Sequence, residues 1–236
     1  MITQNLNRLL YFDIETVGVV NDFYSLPDRL ADIYMRKNEK AIEECGSAQE
    51  HWNKHAGLEA EYAKVCCISF GSFKEEADKS LIFRVKSFCG ENEVNILRDF
   101  LVILENAKGY NLAFHNGIGF DVPFLAKRYI INSLPIPRKL NKLGVKPWED
   151  CDVDTINIWR GGNFQSKMTS LDLLTAVLGI ESPKGDMDGS LVGEAFYAGE
   201  FDRISTYCQN DVVAVARVCQ RMNLETPIAD SQIRRV

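Results

Sequence analysis

Carboxylates placed on a buried strand are the first sign of chemistry in this sequence. The stretch LLYFDIETVG, residues 9–18, begins with a predicted strand over Leu9–Ile14 that carries Asp13 and is followed at once by Glu15. Burial of an unpaired carboxylate costs several kcal/mol, so both groups need a compensating partner. That partner is a cation supplied by the protein, a hydrogen-bond network or a bound metal ion.

Two later stretches carry acidic groups in settings that suit catalysis. In FHNGIGFDVPFLAKR, a strand ending at His115 passes through a glycine-rich turn, and Asp121 follows near the carboxyl end of that strand. In YCQNDVVAVARVC, Tyr207 and Asp211 are four residues apart on a predicted helix. This spacing puts the phenol and the carboxylate on one helix face.

Convergence of these acidic groups would make a site for metal ions. Four like charges close together, from Asp13, Glu15, Asp121 and Asp211, would raise one another's pKa and weaken the fold. Two divalent cations would neutralise them, and ligands that are all oxygen suit Mg²⁺ or Mn²⁺. Two such ions about 3.5–4 Å apart stabilise the attacking and leaving oxygens of a phosphodiester in an in-line displacement. The residues therefore predict phosphodiester hydrolysis at a two-metal site.

Three motifs in sequence order resemble those of the DEDD 3′→5′ exonucleases, in the subclass whose third motif begins with tyrosine: Asp13-x-Glu15, Asn116-x-x-x-Phe120-Asp121 and Tyr207-x-x-x-Asp211. More narrowly, FHNGIGFDVPFLAKR, SLDLLTAVLGI, DGSLV and YCQNDV are similar to the predicted exonucleases related to the proofreading domain of family B DNA polymerases. The resemblance spans nearly the whole chain. It implies the DnaQ-like, ribonuclease-H-like α/β fold, a mixed five-stranded sheet flanked by helices.

The resemblance also implies a role for each catalytic residue. Asp13, Glu15 and Asp211 would hold the ion that activates water, while Asp13 bridges to a second ion held by Asp121. The phenol of Tyr207 has a reference pKa near 10 and is a poor base at neutral pH. Its expected role is to orient the nucleophile by hydrogen bonding.

Weaker assignments concern the residues around the second motif. The Asn116 amide is expected to shape the site, and the Phe120 ring to pack under the sheet or stack on a terminal base, with core packing favoured. His115 is expected to be a hydrogen-bonded structural residue rather than a contact to phosphate. Asp152 and Asp154 match no motif acid, and one of them is expected to cap a helix near residue 154.

Composition places the chain among soluble globular proteins. Its 236 residues with 46% apolar content are enough for one exonuclease domain over 1–236. No apolar run reaches the length of a membrane span, and the first residues, MITQNLNRLL, lack the pattern of a signal peptide. A cytoplasmic protein without a membrane partner is therefore expected. Seven cysteines without a CxxC pair are interpreted as small apolar core residues in a reducing compartment.

Charge is distributed unevenly along the chain. The net charge is −6, yet the window Lys127–Lys146 holds six basic residues and no acid. Arg138, Lys139 and Lys142 are the candidate substrate-binding residues of a strip that follows a phosphate backbone. The alternative, an ordinary solvated surface, has about equal weight. Single-stranded nucleic acid, DNA more than RNA, is the expected partner, with a polymerase or repair protein acting in trans as a further candidate.

Hydrophobic patterning supplies the elements that must position these groups. Predicted strands cover Leu9–Ile14, Val65–Phe73, Leu81–Val85 and Leu112–His115. Helices are predicted for NEVNILRDFLVILENA, for LDLLTAVLG with Ser170 as its cap, and for about 202–222. Residues 21–63 are interpreted as a helical insertion between the first two strands. The pair His51 and His55 is assigned to a surface helix rather than to zinc, because Trp52 stands where a metalloprotease has glutamate.

The leading hypothesis is a metal-dependent 3′→5′ exonuclease that releases nucleoside 5′-monophosphates from single-stranded DNA. A 3′→5′ exoribonuclease acting on short RNA is one alternative, and a nucleic-acid-binding module with weak or no catalysis is another. A metal-dependent phosphohydrolase of small nucleotides is a third. The presence of all four motif acids speaks against an inactive site, and the basic window favours a polymeric substrate.

Overall fold

The structure is a computed structural model that describes residues 2–146, 149–163, 165–183 and 185–236. Its centre is a mixed six-stranded sheet with the strand order β5-β4-β1-β2-β3-β6. The strands are β1 (Leu9–Gly18), β2 (Ala63–Glu75), β3 (Leu81–Cys89), β4 (Asn111–Phe114), β5 (Val153–Asp154) and β6 (Ile233–Arg235). The β1–β2 and β2–β3 pairs are antiparallel, whereas β4 runs parallel to both β1 and β5, and β6 runs parallel to β3.

Helices cover both faces of this sheet. They are α1 (Asp28–Lys37), α2 (Glu39–Cys45), α3 (Ala48–His55), α4 (Glu93–Asn106), α5 (Asp121–Ile131), α6 (Thr155–Arg160), α7 (Leu171–Val177), α8 (Val192–Tyr197) and α9 (Phe201–Met222). The predicted cap of α7 is confirmed, because the Ser170 side chain accepts a hydrogen bond from the Leu173 amide. The long final helix is also confirmed within one residue at its start.

The predicted mixed sheet flanked by helices is confirmed, with six strands rather than five. The four strands located in the sequence correspond to β1–β4, and β5 and β6 are additional to them; β6 pairs with the outer edge of β3 and contains only Ile233, Arg234 and Arg235. A three-residue segment with two arginines has no hydrophobic alternation, so the sequence pattern does not predict this strand.

Alternation along β1 decides which side chains face which layer. Leu10, Phe12 and Ile14 belong to the core formed with α4 and α5. Leu9 and Tyr11 belong to the core on the opposite face, together with residues of α9. Because successive side chains of a strand point to opposite faces, the two carboxylates that follow in β1 point towards the α9 layer.

The predicted helical insertion between the first two strands is confirmed and consists of α1, α2 and α3. It has its own aromatic core, in which Tyr34 lies between Trp52 and Tyr62. The surface assignment of His51 is wrong, since this side chain is buried and its Nδ1 lies 2.7 Å from the Tyr34 hydroxyl. The tyrosine supplies the polar partner that makes burial of the imidazole tolerable.

Among the described residues, no helix combines the length and the apolar character needed to cross a membrane.

Candidate active site

Asp13 and Glu15 form the centre of an acidic site on the α9 side of the sheet. Asp13 lies opposite Ser69 of β2, and Glu15 lies opposite Cys67, two residues further along. Oxygens of both carboxylates and the Cys208 sulfur of α9 all lie within 4.8 Å of one another. The alternation of β1 therefore brings the first motif against the helix that carries the third.

A tight turn after β4 places the second motif beside this centre. Asn116 has a φ of +66°, a left-handed conformation that asparagine tolerates better than most residues. A Cβ at Gly117 would lie 2.2 Å from the Phe114 ring, and one at Gly119 would lie 2.6 Å from the Asn116 side-chain oxygen. The turn therefore requires glycine at both positions, and the Asn116 amide folds over it, consistent with its predicted role in shaping the site.

Asp154 fixes the same turn from β5. Its carboxylate accepts hydrogen bonds from the backbone amides of Asn116 and Ile118, at 2.9 and 3.1 Å. It also caps α6 by accepting from the Ile156 amide. The prediction that an acid near residue 154 caps a helix is confirmed, and the same side chain positions the second motif.

Asp121 is the first residue of α5 and is buried against β1. The backbone amide of Ile14, the residue between Asp13 and Glu15, favours the ionised form of the Asp121 carboxyl. Burial raises the pKa of Asp121 to about 7, and the Asp154 carboxylate contributes in the same direction. The second motif is thus attached to the first through the β1 backbone.

Tyr207 and Asp211 lie on α9, the helix that covers the acidic centre. The Tyr207 hydroxyl interacts with the Asp211 carboxylate one helical turn away, as the spacing predicts. Burial holds the pKa of Tyr207 far above its usual range, with Asp211, Glu15 and Asp13 adding to the effect. The phenol therefore keeps its proton at neutral pH and serves as a hydrogen-bond donor.

The carboxylates at this centre lack compensation by protein cations. Burial raises the pKa of Asp13 and of Glu15 well above the usual range, and neighbouring thiol and carboxyl groups push both in the same direction. No lysine or arginine of the described chain is among the main influences on the pKa of Asp13, Glu15 or Asp121. Glu15, Asp121 and Asp211 all add to the raised pKa of Asp13, although Asp121 and Asp211 lie outside the tightest group.

This donor set fits divalent cations. Carboxylate oxygens are the ligands that Mg²⁺ and Mn²⁺ prefer, and an uncompensated buried group of acids gains stability from a bound positive charge. The Cys208 thiol donates towards Asp13 Oδ2 at a sulfur–oxygen distance of 3.6 Å. In this arrangement it is a neighbour of a ligand oxygen.

A cavity of about 890 Å³ opens beside Glu15. Its walls come from the end of β1, from Phe120, from the insertion at Trp52–Leu58 and from the start of α8. Phe120 is half-buried and packs against Phe124, with a ring separation of 5.3 Å. Phe120 therefore packs against Phe124, the role favoured for it, and also lines the cavity.

Two basic side chains of the window Lys127–Lys146 that were predicted to bind substrate make contacts within the protein. The Lys142 ammonium donates to Asp150 at 2.9 Å and to Asp152 at 2.5 Å. Lys139 donates to the Tyr110 carbonyl, and Arg138 is exposed without an ion pair among the described residues. Two of the three predicted substrate-binding side chains are thus engaged in structural contacts.

The contact between Lys142 and Asp152 lies at some distance from the acidic centre. Asp152, the partner of Lys142, accepts a hydrogen bond from the Leu112 amide. Leu112 pairs with Leu10, which precedes Asp13 by three residues on β1. At about 3.3 Å per residue, this contact lies roughly 10 Å along the strand from the acidic centre. Binding of a phosphate backbone by this window stays a prediction.

Two residues of this site were not predicted as functional. Cys208 follows Tyr207 and is three residues from Asp211, a helical spacing that would have pointed to the same face. Asp154 was assigned only to a helix cap, and its second contact depends on a turn 38 residues away.

A family profile decides the affiliation of the chain. The profile described as "predicted 3′-5′ exonuclease related to the exonuclease domain of PolB" matches residues 57–229, which is most of the sequence. The chain belongs to this family. The match includes the second and third motifs of the exonuclease family, while Asp13 and Glu15 precede it and join the site through β1.

A solved structure supports the architecture of this exonuclease family member. The fold is similar to that of the family B DNA polymerase from the hyperthermophilic archaeon Pyrobaculum calidifontis, with a TM-score of 0.58 and 17% sequence identity. The similarity covers 92% of this chain and 24% of the polymerase chain, so this chain spans about a quarter of that enzyme's length. It confirms the expected ribonuclease-H-like fold. No curated protein sequence matches the chain.

Proposed function

We propose that this protein is a metal-dependent 3′→5′ exonuclease that removes nucleoside 5′-monophosphates from single-stranded DNA. The observation that carries the proposal is the grouping of Asp13, Glu15, Asp121 and Asp211 at one end of the sheet, where burial and acids of other motifs raise the pKa of Asp13 and Glu15. Membership in a family of predicted exonucleases supports the direction of cleavage.

The four acids would hold two ions, Mg²⁺ or Mn²⁺. Burial raises the pKa of Asp13, and Asp121, Glu15 and Asp211 add to the effect, so this carboxylate would be shared between the two ions. Bound ions of this kind supply a water of lowered pKa and stabilise charge on the leaving oxygen.

The remaining residues bind and orient. The protonated Tyr207 hydroxyl is placed to hold the attacking water through a hydrogen bond, with Asp211 as its neighbour. The cavity beside Glu15 has room for a terminal nucleotide, and the exposed edge of Phe120 offers a surface for its base. In this proposal the insertion forms one wall of the nucleotide site, which gives it a role in substrate binding.

The test is hydrolysis of matched single-stranded DNA and RNA oligonucleotides carrying a label at either end. The proposal expects mononucleotides to leave from the 3′ end in Mg²⁺ or Mn²⁺ and hydrolysis to stop in chelator. The variant Asp13→Asn should be inactive, and Asp99→Asn, an exposed carboxylate on α4, should be fully active. Persistent hydrolysis in chelator would contradict the metal mechanism, and preference for RNA would replace DNA with the exoribonuclease alternative.

A further inference from the structure

Three thiols pack next to the carboxylates of β1 on the face of the sheet that α9 covers. Cys67 of β2 lies opposite Glu15 on one side and opposite Cys89 of β3 on the other. Directly opposed residues of antiparallel strands present their side chains on the same face. Cys208 of α9 packs onto this row, so the thiols form one cluster with the acidic centre at its edge.

The three thiols are connected to one another and to a catalytic carboxylate. Cys67 packs with Cys208 and Cys89, and its sulfur lies 3.9 Å from the Ser69 hydroxyl oxygen. The Cys208 sulfur lies 3.6 Å from Asp13 Oδ2 and 3.5 Å from the Asp13 carbonyl oxygen. Cys67 and Cys208 are fully buried, whereas Cys89 is partly exposed at the end of β3. A small oxidant from solution therefore reaches Cys89 first.

The backbone holds Cys67 and Cys89 at a separation that a disulfide can span. The Gly90 amide donates to the Cys66 carbonyl at 3.0 Å, so the position next to Cys67 and Cys89 is a hydrogen-bonded pair of the ladder. Because pair types alternate, Cys67 and Cys89 occupy a non-hydrogen-bonded pair, whose Cα atoms are about 4.5 Å apart. Disulfides form at Cα separations of roughly 4.4–6.8 Å.

We propose that Cys67 and Cys89 are an oxidative modification site, and that the disulfide between them switches off hydrolysis at the neighbouring carboxylates. The loss of hydrolysis rests on the proposed function. The disulfide itself does not.

Hydrogen peroxide is the oxidant of the proposed reaction. The Cys89 sulfur attacks one peroxide oxygen, the O–O bond breaks, and one water leaves with the thiol proton, which gives a sulfenic acid. The Cys67 sulfur then attacks the Cys89 sulfur, the S–O bond breaks, and the hydroxyl group leaves with the Cys67 proton as a second water. Two thiols lose two electrons in total, and one peroxide gains them.

The consequence for the site follows from the contacts of Cys67. The disulfide draws the Cys67 sulfur to about 2.05 Å from that of Cys89. The Cys67 side chain, which lies opposite Glu15 and packs with Cys208, then moves towards β3 and changes the packing beside both residues. Misplacement of catalytic groups by about 1 Å is enough to lower turnover by ~10²-fold.

The experiment compares the whole reduced protein with Cys89→Ser and with Cys151→Ser, a matched control at an exposed thiol. Each is treated with hydrogen peroxide, remaining thiols are alkylated, and peptides are mapped by mass spectrometry without reduction. The wild type and Cys151→Ser should give a Cys67–Cys89 linked peptide and lose about 10- to 100-fold of oligonucleotide hydrolysis, and a thiol reductant should restore it. Cys89→Ser should keep its activity after peroxide and give no linked peptide.

The linked peptide separates this proposal from the proposed function. A reduced protein without nuclease activity overturns the proposed function, while the peptide still reports whether the disulfide forms. Absence of the Cys67–Cys89 peptide in the wild type overturns the modification site. A linked peptide with unchanged hydrolysis, or equal peroxide sensitivity in Cys89→Ser, overturns the switch.

Discussion

Two groups of buried carboxylates in this protein are compensated in opposite ways. Glu93, at the start of α4, accepts two hydrogen bonds from the Arg128 guanidinium, at 2.8 and 2.6 Å, and further bonds from Val65 and Asn132. Both charged side chains of this pair are nearly inaccessible to solvent. Asp13, which is half-buried, and Glu15, which is buried, lie on β1 among other acids and thiols.

The difference shows what each group is for. Around Glu93 the protein supplies a cation and amide groups, so the charge and the hydrogen bonds of this carboxylate are satisfied within the fold. Glu93 therefore acts as a structural link between α4, α5 and β2. Around Asp13 the partners raise the pKa, so the folded chain alone leaves the charge unfavourable. Such a site gains from a cation that comes from solution, and its positive charge is then available for chemistry.

The sharpest contrast is expected for Asp13→Ala. Loss of a ligand that bridges two ions should lower hydrolysis by about 10³-fold or more, equivalent to at least ~4 kcal/mol of transition-state stabilisation. In chelator the variant should be as stable as the wild type or more so, because a buried like charge is removed. Single-turnover kinetics and urea unfolding measure the two effects, and a strongly destabilised metal-free variant would place Asp13 with Glu93 as a structural acid.

Glu93→Gln should do the reverse. It leaves the buried Arg128 without its charged partner, which is expected to lower the free energy of unfolding by about 3–5 kcal/mol. Metal affinity per folded molecule should be unchanged. Urea unfolding and Mn²⁺ titration at low temperature test this, and unaltered stability would show that the Arg128–Glu93 pair has no structural role.

Tyr207→Phe tests the group that orients rather than binds. Loss of a positioned hydrogen bond should reduce turnover by ~10²-fold, while metal affinity stays unchanged because the phenol is not a ligand. The variant should be compared at saturating Mn²⁺. Wild-type turnover in Tyr207→Phe would make this tyrosine part of the packing alone.

The smallest effects are expected in the basic window. Lys142→Gln leaves Asp152 without its cation and should cost about 1–2 kcal/mol of stability, with little change in how oligonucleotide affinity depends on salt. Arg138→Gln should flatten that dependence by at most ~0.7 in log–log slope, the value for one phosphate contact on a single strand. A large change of this slope in a stably folded Lys142→Gln variant would support the prediction that the basic window binds a phosphate backbone.

Local pattern was enough to predict much of the acidic site. The four-residue spacing of Tyr207 and Asp211 fixes their shared helix face, and the alternation of β1 fixes the side to which Asp13 points. These features depend on 3.6-residue and two-residue periods, which the sequence shows directly.

Contacts between distant segments could not be read in this way. Glu93 finds its cation 35 residues away at Arg128, and Cys67 meets Cys89 only through the register of two strands. The basic window looked free of acids because its partner Asp152 lies beyond its end. Charge along a sequence does not reveal which charges pair once the chain folds.

Thermal unfolding with and without divalent ions tests the central claim most directly. Asp121 has a folded-state pKa of about 7 against an ordinary value of 3.8, so its favourable contribution is complete below 3.8 and is lost as the pH rises through 7. In chelator the melting temperature should therefore be lower at about pH 8 than at about pH 5.

Addition of Mn²⁺ or Mg²⁺ should reverse this loss. An ion at one hundred times its Kd stabilises the folded state by about 2.7 kcal/mol, which corresponds to roughly 5–10 °C for a chain of this size. We predict a shift of this order at the higher pH, a smaller one at the lower pH, and none in Asp13→Ala. No shift in the wild type, or an equal shift in Asp13→Ala, would contradict the claim that these carboxylates bind the ions.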